Sequence, residues 1–326
     1  MQAVVCPRYG SPDVLRVADL EKPAAEDNEV LVKVHAASLN ALDWRRMRGA
    51  PFVVRLIEGI RKPKRPRLGT DMAGTVEALG KGATEFHVGD EVFGVAYGAF
   101  AEYVSAAERE IALKPSNVSF ESAATAGVAA FTALQALRDK GQVRAGTKLL
   151  INGAGGGVGT FAIQIAKSLG AEVRAMTRQA NLEMVRSIGA DHVLDYAKED
   201  FAAGGRQFDV ILDIHPRRSI SQYKQALTPG GTAITVGFGG LSQLLAIALR
   251  AKLTSKGTGR RVVFHVAKPN KKDFEILAGL LRDGKVVPVI DRRYSLDQVA
   301  DAVRHLESES ASGKIVLTLI GDGRPA

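Results

Sequence analysis

Residues 148–159 read Lys-Leu-Leu-Ile-Asn-Gly-Ala-Gly-Gly-Gly-Val-Gly, an apolar run that ends in a cluster of glycines. The apolar run predicts a buried strand, and residues 158–169 after it have the pattern of a helix. Further apolar strands are predicted, in alternation with helical segments such as 181–188, at 172–176, 192–196, 209–213, 232–236 and 261–266. Such alternation requires right-handed crossovers, so the sequence predicts an α/β fold with a doubly wound parallel sheet.

The first third of the chain has a different pattern, with short apolar runs at 30–32, 75–76 and 89–94 between turn-forming residues. This pattern predicts a β-rich domain. Residues 49–69 contain three prolines and are expected to form a mobile cover or insertion. The end of the chain is predicted to rejoin this domain, with a strand at 286–290, a helix at 295–306 and a strand at 314–319. The predicted boundaries are therefore 1–120 with 267–326 for the β-rich domain, and 121–266 for the domain with the parallel sheet.

The glycine cluster lies where a strand passes into a helix, the position at which dinucleotide-binding folds hold a pyrophosphate. The spacing fits a variant motif with alanine first, Ala154-x-Gly156-x-x-Gly159. Gly156 would let the backbone approach the pyrophosphate, and Gly159 would let the helix pack against the strand. The residues expected to contact the cofactor here are Gly153, Ala154, Gly155, Gly156, Gly157, Val158 and Gly159.

The end of the next strand distinguishes NAD from NADP, because an NAD site needs an acid there for the ribose 2′-hydroxyl. The segment reads Met-Thr-Arg-Gln-Ala-Asn over 176–181, without a carboxylate. Arg178 would instead clamp a 2′-phosphate, with Thr177 beside it and the hydroxyl of Tyr196 from the following strand. NADPH is therefore the expected cofactor.

Composition sets outer limits on the function. The chain has 326 residues, 46% of them hydrophobic and 24% charged, as in an ordinary globular protein of about two domains. Cys6 is the single cysteine, which excludes internal disulfides and any metal site built from several thiolates. The N-terminal sequence has no apolar run typical of a signal peptide, and a cytoplasmic location is expected.

The net charge of +9 is concentrated in two segments. Residues 45–67 hold nine basic side chains against Glu58, a net charge of +8, and residues 250–272 hold eight basic side chains and no acid. Such segments are commonly solvated surfaces, but they also permit contact with an anionic partner, a membrane surface among them. Nucleic acid is not favoured, because the segments lack the interleaved aromatic residues that stack on bases.

Taken together, the motifs resemble those of the medium-chain dehydrogenase/reductase superfamily, in its zinc-free quinone oxidoreductase branch, over nearly the whole chain. Besides the glycine turn and Gly98-Ala-Phe-Ala-Glu-Tyr103, the motifs that carry the resemblance lie at 38–44 (Ser-Leu-Asn-Ala-Leu-Asp-Trp), 69–74 (Gly-Thr-Asp-Met-Ala-Gly), 88–94 (Val-Gly-Asp-Glu-Val-Phe-Gly), 189–191 (Gly-Ala-Asp) and 313–317 (Gly-Lys-Ile-Val-Leu).

The resemblance implies a GroES-like catalytic domain formed by both ends of the chain around a Rossmann domain, with the active site in a cleft between the two. It also implies that Asn40 and Asp43 line the nicotinamide side of that cleft. Further cofactor contacts that it implies are Thr132, Gly237, Phe264, Val266 and Lys314. A homodimer is common in the family, and the apolar segment 241–253 is a candidate interface, with internal packing as the alternative.

The sequence departs from the family pattern at two places. Arg45 stands where well-known quinone reductases often carry tyrosine, so a different substrate pocket is expected. Residues 213–216 read Asp-Ile-His-Pro in place of a glycine-containing turn, which puts the cofactor contact of that loop in doubt.

The activity expected is hydride transfer from NADPH to a quinone, an enone or a related α,β-unsaturated carbonyl. Donors aimed at the developing enolate oxygen would accelerate it, and the candidates are Asn40, Arg45 and the hydroxyl of Tyr97, with ordinary buried packing as the alternative for Tyr97. Three alternatives stay open: a zinc alcohol dehydrogenase of the same fold, an enoyl thioester reductase, and an NADPH-binding protein with an RNA-binding or structural role. A catalytic metal is not expected, since residues 40–43 and 69–71 contain no Cys or His.

Overall fold

The computed structural model describes residues 1–216, 218–237 and 259–319. The chain divides into two compact units. The first unit comprises residues 1–131 and the chain from Pro269 onward, and the second comprises Thr132–Lys268. Residues 121–131, which the sequence analysis assigned to the nucleotide-binding domain, thus belong to the first unit because the helix Phe120–Thr125 packs on its sheet.

The secondary structure alternates as the sequence predicts. The strands are β1 Gln2–Val5, β2 Arg16–Asp19, β3 Glu29–Ser38, β4 Asp71–Leu79, β5 Glu91–Val95, β6 Tyr103–Ala107, β7 Ile111–Leu113, β8 Lys148–Asn152, β9 Glu172–Thr177, β10 His192–Asp195, β11 Phe208–Asp213, β12 Leu227–Val236, β13 Arg261–His265, β14 Ile290–Ser295 and β15 Lys314–Thr318. The helices are α1 Ala41–Arg48, α2 Val53–Glu58, α3 Phe120–Thr125, α4 Val128–Gln135, α5 Gly157–Ser168, α6 Leu182–Ser187, α7 Ile220–Ala226, α8 Lys271–Arg282 and α9 Val299–Glu307.

The first unit is built on a mixed sheet with strand order β14-β15-β3-β4-β5-β7, to which β6 adds by pairing with β3. The C-terminal strand β15 pairs antiparallel with β3 and places Val316 opposite Ser38. Two apolar clusters fill this unit, one around Leu39, Met47 and Phe100 and one around Met72. The pairing of β15 with β3 brings Lys314 next to the start of α1, more than 270 residues away in sequence.

The second unit is a parallel sheet with strand order β10-β9-β8-β11-β12-β13. This is the order 3-2-1-4-5-6 of a Rossmann domain, counted from β8 as the first strand. The strand order reverses between β8 and β11, which pair in parallel from Val210 opposite Leu149 to Asp213 opposite Asn152. In this fold the carboxyl ends of the strands at such a reversal form the ligand site.

One expectation about local structure is wrong. The strand expected at 286–290 lies instead at Ile290–Ser295, and Val286 is a buried residue before it. Pro288 cannot donate a ladder hydrogen bond, and the true strand was missed because residues 291–293 (Asp-Arg-Arg) are polar. Residues 49–69, expected to form a mobile cover or insertion, include helix α2 and one buried side chain of that helix, Val54, and the role expected of them stays a prediction.

No helix in the described ranges is long and apolar enough to cross a bilayer. The candidate interface at 241–253 and the basic residues Arg250, Lys252 and Lys256 lie outside the described residues.

Candidate active site

The ammonium group of Lys314 is the centre of a buried polar cluster in the first unit. Lys314 is 2% exposed. Its Nζ donates to the carbonyl oxygen of Leu39 at 2.8 Å, to Oδ1 of Asn40 at 2.6 Å and to Oδ2 of Asp71 at 3.1 Å. An ammonium group has three donors. All three are used within this unit, so Lys314 has no donor left for a ligand.

The hydrogen bond from Lys314 fixes the orientation of the Asn40 side-chain amide. Because Lys314 can only donate, the atom that faces it must be the side-chain oxygen, and the amide nitrogen must point the other way. The Nδ2 atom of Asn40 is buried and has no hydrogen-bond partner. A buried donor left unpaired costs about 1–3 kcal/mol. A polar group of a bound ligand would remove this cost.

The carboxylate of Asp43 binds the backbone of Asn40 at the start of α1. It is fully buried, its Oδ2 accepts the backbone N–H of Asn40 at 2.8 Å, and its Oδ1 accepts the hydroxyl of Thr70 at 3.1 Å. Burial, together with the nearby Asp71 carboxylate, raises the pKa of Asp43 to about 6. With both oxygens engaged, Asp43 fixes the start of α1 and has no surface exposed to a substrate.

Asp71 joins β4 to three other parts of the first unit. Besides Lys314, its carboxylate accepts the hydroxyl of Ser38 at 2.9 Å and the backbone N–H of Val128 at 2.8 Å. In the sequence, Asp71 is part of the motif at 69–74, and it was not predicted as a site residue. Its position as a charged residue at the start of the apolar strand β4, within that motif, was the available signal.

The arginine that reaches this cluster is Arg46. Its Nη1 donates to Thr70 at 3.4 Å, and its Nε lies 2.9 Å from the Glu58 carboxylate. Arg45, the candidate named from sequence, is half-buried with its guanidinium 5.4 Å from the centre of the Trp44 ring. Burial lowers the pKa of Arg45.

Tyr97 is half-buried, and its hydroxyl already has a partner. The hydroxyl donates to the backbone carbonyl of Arg65, and the guanidinium of Arg46 lies 5.0 Å from the ring centre. Burial and the nearby carboxylate of Glu58 raise its pKa to about 12. These contacts are those of a packed tyrosine, which was the alternative to a proton donor.

The glycine turn lies in the second unit between β8 and α5. The backbone N–H groups of Gly153 and Ala154 donate to the carbonyl of Met176 on the neighbouring strand, at 3.1 and 3.0 Å. A Cβ on Gly159 would lie 2.4 Å from the Gly153 carbonyl oxygen, so the close packing of helix and strand requires glycine there. Gly156 caps α5, and a Cβ on it would meet only one atom, at 3.7 Å.

The first turn of α5 therefore presents its backbone N–H groups beside an open approach at Gly156. These features fit the pyrophosphate of a dinucleotide. Gly155 is different, because a Cβ on it would clash with the side chains of Asn181 and Thr177. Gly157 and Val158 are the first two residues of the helix.

The ends of β9 and β10 carry the residues predicted to select the cofactor. Arg178 follows β9 and is half-buried, and Tyr196 follows β10 and is 58% exposed. The backbone N–H of Tyr196 donates to the carbonyl of Thr177 at 3.1 Å, so the two strand ends are adjacent. Asp195, the last residue of β10, is buried and accepts the backbone N–H of Ala197 at 3.0 Å.

The segment that departs from the family pattern forms its own buried network. Asp213 accepts the side-chain N–H of Asn152 at 2.9 Å, the backbone N–H of His215 at 2.9 Å and the hydroxyl of Tyr223 at 2.7 Å. Burial raises the pKa of Asp213 and that of Tyr223. The carboxylate thus ties together the ends of β8 and β11, and the His215 ring lies against Gly153, where a Cβ would meet it at 2.7 Å.

The remaining residues predicted to contact the cofactor lie on or directly after three different elements of the second unit. Thr132 is half-buried within α4, Gly237 follows β12 with φ of 73°, and Phe264 and Val266 flank His265 at the end of β13. His265 is 6% exposed, and neither ring nitrogen has a hydrogen-bond partner. Burial lowers its pKa.

Within the described residues, His, Cys, Asp and Glu side chains do not gather in any group of three suited to a metal ion. A glycine turn between strand and helix at the switch point of a Rossmann sheet is typical of dinucleotide-dependent oxidoreductases.

Comparison with known proteins agrees with this class. The alcohol dehydrogenase GroES-like domain model matches residues 26–116, and the zinc-binding dehydrogenase model matches residues 188–317. Quinone oxidoreductase of Sus scrofa is 32% identical over 98% of this chain and 98% of its own length. The 2-methylene-furan-3-one reductase of Solanum lycopersicum is 34% identical over 95% of this chain and 76% of its own. The quinone oxidoreductase structure from Coxiella burnetii superposes with a TM-score of 0.86 at 29% identity, over 98% and 99% of the two chains.

The chain belongs to the medium-chain dehydrogenase/reductase superfamily, in its quinone oxidoreductase branch. The fold class and the resemblance predicted from sequence are thereby confirmed.

Proposed function

We propose that this chain reduces quinones, enones or related α,β-unsaturated carbonyls with NADPH. The observation that carries the proposal is the buried, unpartnered Nδ2 of Asn40, whose orientation Lys314 fixes by donating to Oδ1 of the same amide. The names of the pig and tomato relatives, a quinone oxidoreductase and a 2-methylene-furan-3-one reductase, support the substrate class, because a 2-methylene-furan-3-one is an enone.

NADPH would supply the hydride when bound. In an enone, a hydride taken up at the β-carbon leaves negative charge on the carbonyl oxygen, and one proton then completes the saturated ketone. We assign to Asn40 the donation of a hydrogen bond to that oxygen. A preorganised donor of this kind stabilises the charge that develops in the transition state, and removing one typically lowers kcat by about 100-fold.

NADPH is proposed over NADH on the basis of charge at the strand ends. Arg178 carries the positive charge that a 2′-phosphate needs, and the nearby carboxylate of Asp195 is engaged by its own turn. We also propose a cytoplasmic location and a homodimer. The single thiol, Cys6, is free and buried, as suits a reducing compartment.

The test is consumption of NADPH, with NADH in parallel, against quinones, alkenals, enones and acyl thioesters, together with oxidation of alcohols by NADP⁺. Turnover of quinones or enones with NADPH, insensitive to chelators, is expected. The Asn40→Ala variant should lose roughly 100-fold in kcat while binding NADPH in a fluorescence titration as the parent does. Asn117→Ala, at an exposed asparagine of the same unit, is the matched control.

Chelator-sensitive alcohol oxidation would replace the proposal with a zinc dehydrogenase. Turnover of acyl thioesters alone would replace it with an enoyl thioester reductase. An unchanged kcat in Asn40→Ala would remove the role assigned to that amide.

A further inference from the structure

Residues 52–64 form a protrusion with an apolar outer face, which we call the apolar protrusion. Four large apolar side chains on it are exposed: Phe52 (62%), Leu56 (57%), Ile57 (73%) and Ile60 (63%). Elsewhere in the described ranges, exposed apolar side chains of this size are scattered singly along the chain. Single exposed apolar residues are ordinary, whereas a contiguous group marks an interaction surface.

The other face of helix α2 is attached to the first unit. Val54 is buried, Arg55 lies 4.8 Å from the centre of the Tyr9 ring, and Glu58 pairs with Arg46. Tyr9 also donates through its hydroxyl to the carbonyl of Gly59 at 2.5 Å. On a helix, positions 52 and 56 lie opposite position 54. The inner face of α2 therefore packs on the first unit, and this packing leaves the apolar side chains of the other face exposed.

Basic side chains lie next to this apolar face. The backbone N–H of Lys64 donates to the carbonyl of Glu58 at 2.6 Å, which closes residues 58–64 into a tight loop. Arg61, Lys62, Lys64 and Arg65 are all exposed. The only acid in residues 45–67, Glu58, is half-buried and paired with Arg46. The exposed surface of the protrusion is thus apolar and cationic.

We propose that the apolar protrusion docks on an anionic lipid surface, with its apolar side chains in the interfacial region and its cations on the lipid phosphates. Apolar side chains flanked by lysine and arginine are the combination that binds the interface of an anionic membrane. A second copy of this chain is a poorer partner, because a symmetric contact would bring the two sets of cations together. The inference does not depend on the proposed reaction.

The proposal is tested by co-sedimentation of the full chain with vesicles. Phosphatidylcholine vesicles that contain phosphatidylglycerol should retain the protein, and vesicles of phosphatidylcholine alone should retain little of it. Arg61→Glu with Lys62→Glu should weaken binding roughly 25-fold or more, since each basic residue contributes roughly fivefold. Leu56→Gln with Ile57→Gln and Ile60→Gln should weaken it at least about tenfold.

Val88→Gln with Leu113→Gln, at isolated exposed apolar positions, is the matched control, and thermal melting checks that each variant is folded. Absence of binding to anionic vesicles overturns the proposal. So does loss of binding in the charge variant alone, which would indicate adsorption of a basic protein without insertion. If the apolar variant changes the oligomeric state and leaves vesicle binding intact, the face is a subunit interface and the proposal is wrong.

Discussion

The Nζ atom of Lys314 lies 2.6 Å from the side-chain oxygen of Asn40, and the two residues are 274 positions apart in the sequence. The same ammonium group pairs with the buried carboxylate of Asp71. A residue near the end of the chain therefore sets the direction in which the amide nitrogen near its beginning can donate. For the proposed reaction, Lys314 is therefore a positioning residue. Mutation of Lys314 would have two effects, the loss of the ion pair with Asp71 and the loss of the fixed Asn40 amide.

The Lys314→Met variant should lose both stability and turnover. It leaves the Asp71 carboxylate buried without its ammonium partner, which should lower the free energy of unfolding by roughly 3 kcal/mol. It also frees the Asn40 amide to rotate, so kcat should fall at least about tenfold. Denaturant unfolding and steady-state kinetics measure the two effects.

The double variant Lys314→Met with Asp71→Asn distinguishes these two causes. It removes both charges, so most of the stability should return, whereas the Asn40 amide stays unfixed and kcat should stay low. Recovery of kcat together with stability would show that Lys314 has only a structural role.

Asp43 should make stability depend on pH in the acidic range. Its folded pKa, about 6, is above the value of 3.8 for an unperturbed aspartate, so the folded protein takes up this proton first as the pH falls. Stability from this group is therefore fully present below the unfolded pKa and is lost as the pH rises from about 4 through 6. The change is at most roughly 3 kcal/mol.

Asp43→Asn removes this contribution. The stability of the parent relative to the variant should rise as the pH is lowered from 7 to 5, measured by urea unfolding. Asp297→Asn, at an exposed aspartate, supplies the control. A difference that is constant over this range would contradict a raised pKa at Asp43.

His265 should make stability depend on pH in the opposite direction to Asp43. Burial lowers its pKa, so as the pH falls through the unfolded value of about 6.5 the unfolded chain takes up a proton that the folded chain does not. Stability from this group is lost as the pH falls. Both ring nitrogens also lack partners, at a cost of about 1–3 kcal/mol each.

The His265→Leu variant, which is close in volume, should therefore melt at a higher temperature than the parent, with a larger gain at pH 5.5 than at pH 8. His87→Leu, at an exposed histidine, should show no such pH-dependent gain. A variant less stable than the parent at both pH values would mean that the His265 ring makes contacts worth more than its desolvation.

Arg178→Ala should raise the KM for NADPH by roughly 10- to 100-fold and change the KM for NADH little, because only NADPH carries the 2′-phosphate. Arg186→Ala, at an exposed arginine on α6, is the matched control. Parallel titrations of the two cofactors measure the effect. An equal loss for both would assign Arg178 to a contact that the two cofactors share.

Much of the second unit could be predicted from the sequence because its signals are local. The continuous apolar run at 148–152 and the glycines after it specify a strand, a turn and a helix within about twenty residues. The strand Ile290–Ser295 was missed for the opposite reason. Its residues are polar, and its pairing with β15 is decided by contacts that no local pattern records.

The candidate site divides in the same way. Asn40, Asp43 and Lys314 were predicted from sequence as parts of motifs and interpreted as ligand contacts. Their hydrogen bonds to other residues of the first unit could not be predicted in this way. Asp71 and Arg46 entered only with the tertiary structure, since the sheet that joins β3, β4 and β15 brings them into reach. The partner of the Tyr97 hydroxyl, the Arg65 carbonyl, was likewise found only in the tertiary structure, and the donor role expected of Tyr97 stays a prediction.

By itself the sequence determined the parallel sheet and the turn that fits a dinucleotide, because strand and helix periods and glycine spacing are properties of neighbouring residues. The family was predicted from the resemblance of its motifs to those of a known superfamily. Only the tertiary structure decided which buried polar groups form hydrogen bonds and that the Nδ2 donor of Asn40 has no partner. Hydrogen-bond satisfaction and desolvation depend on distances across the sheet, and for Lys314 and Asn40 those distances are set by strand pairing and not by separation along the chain.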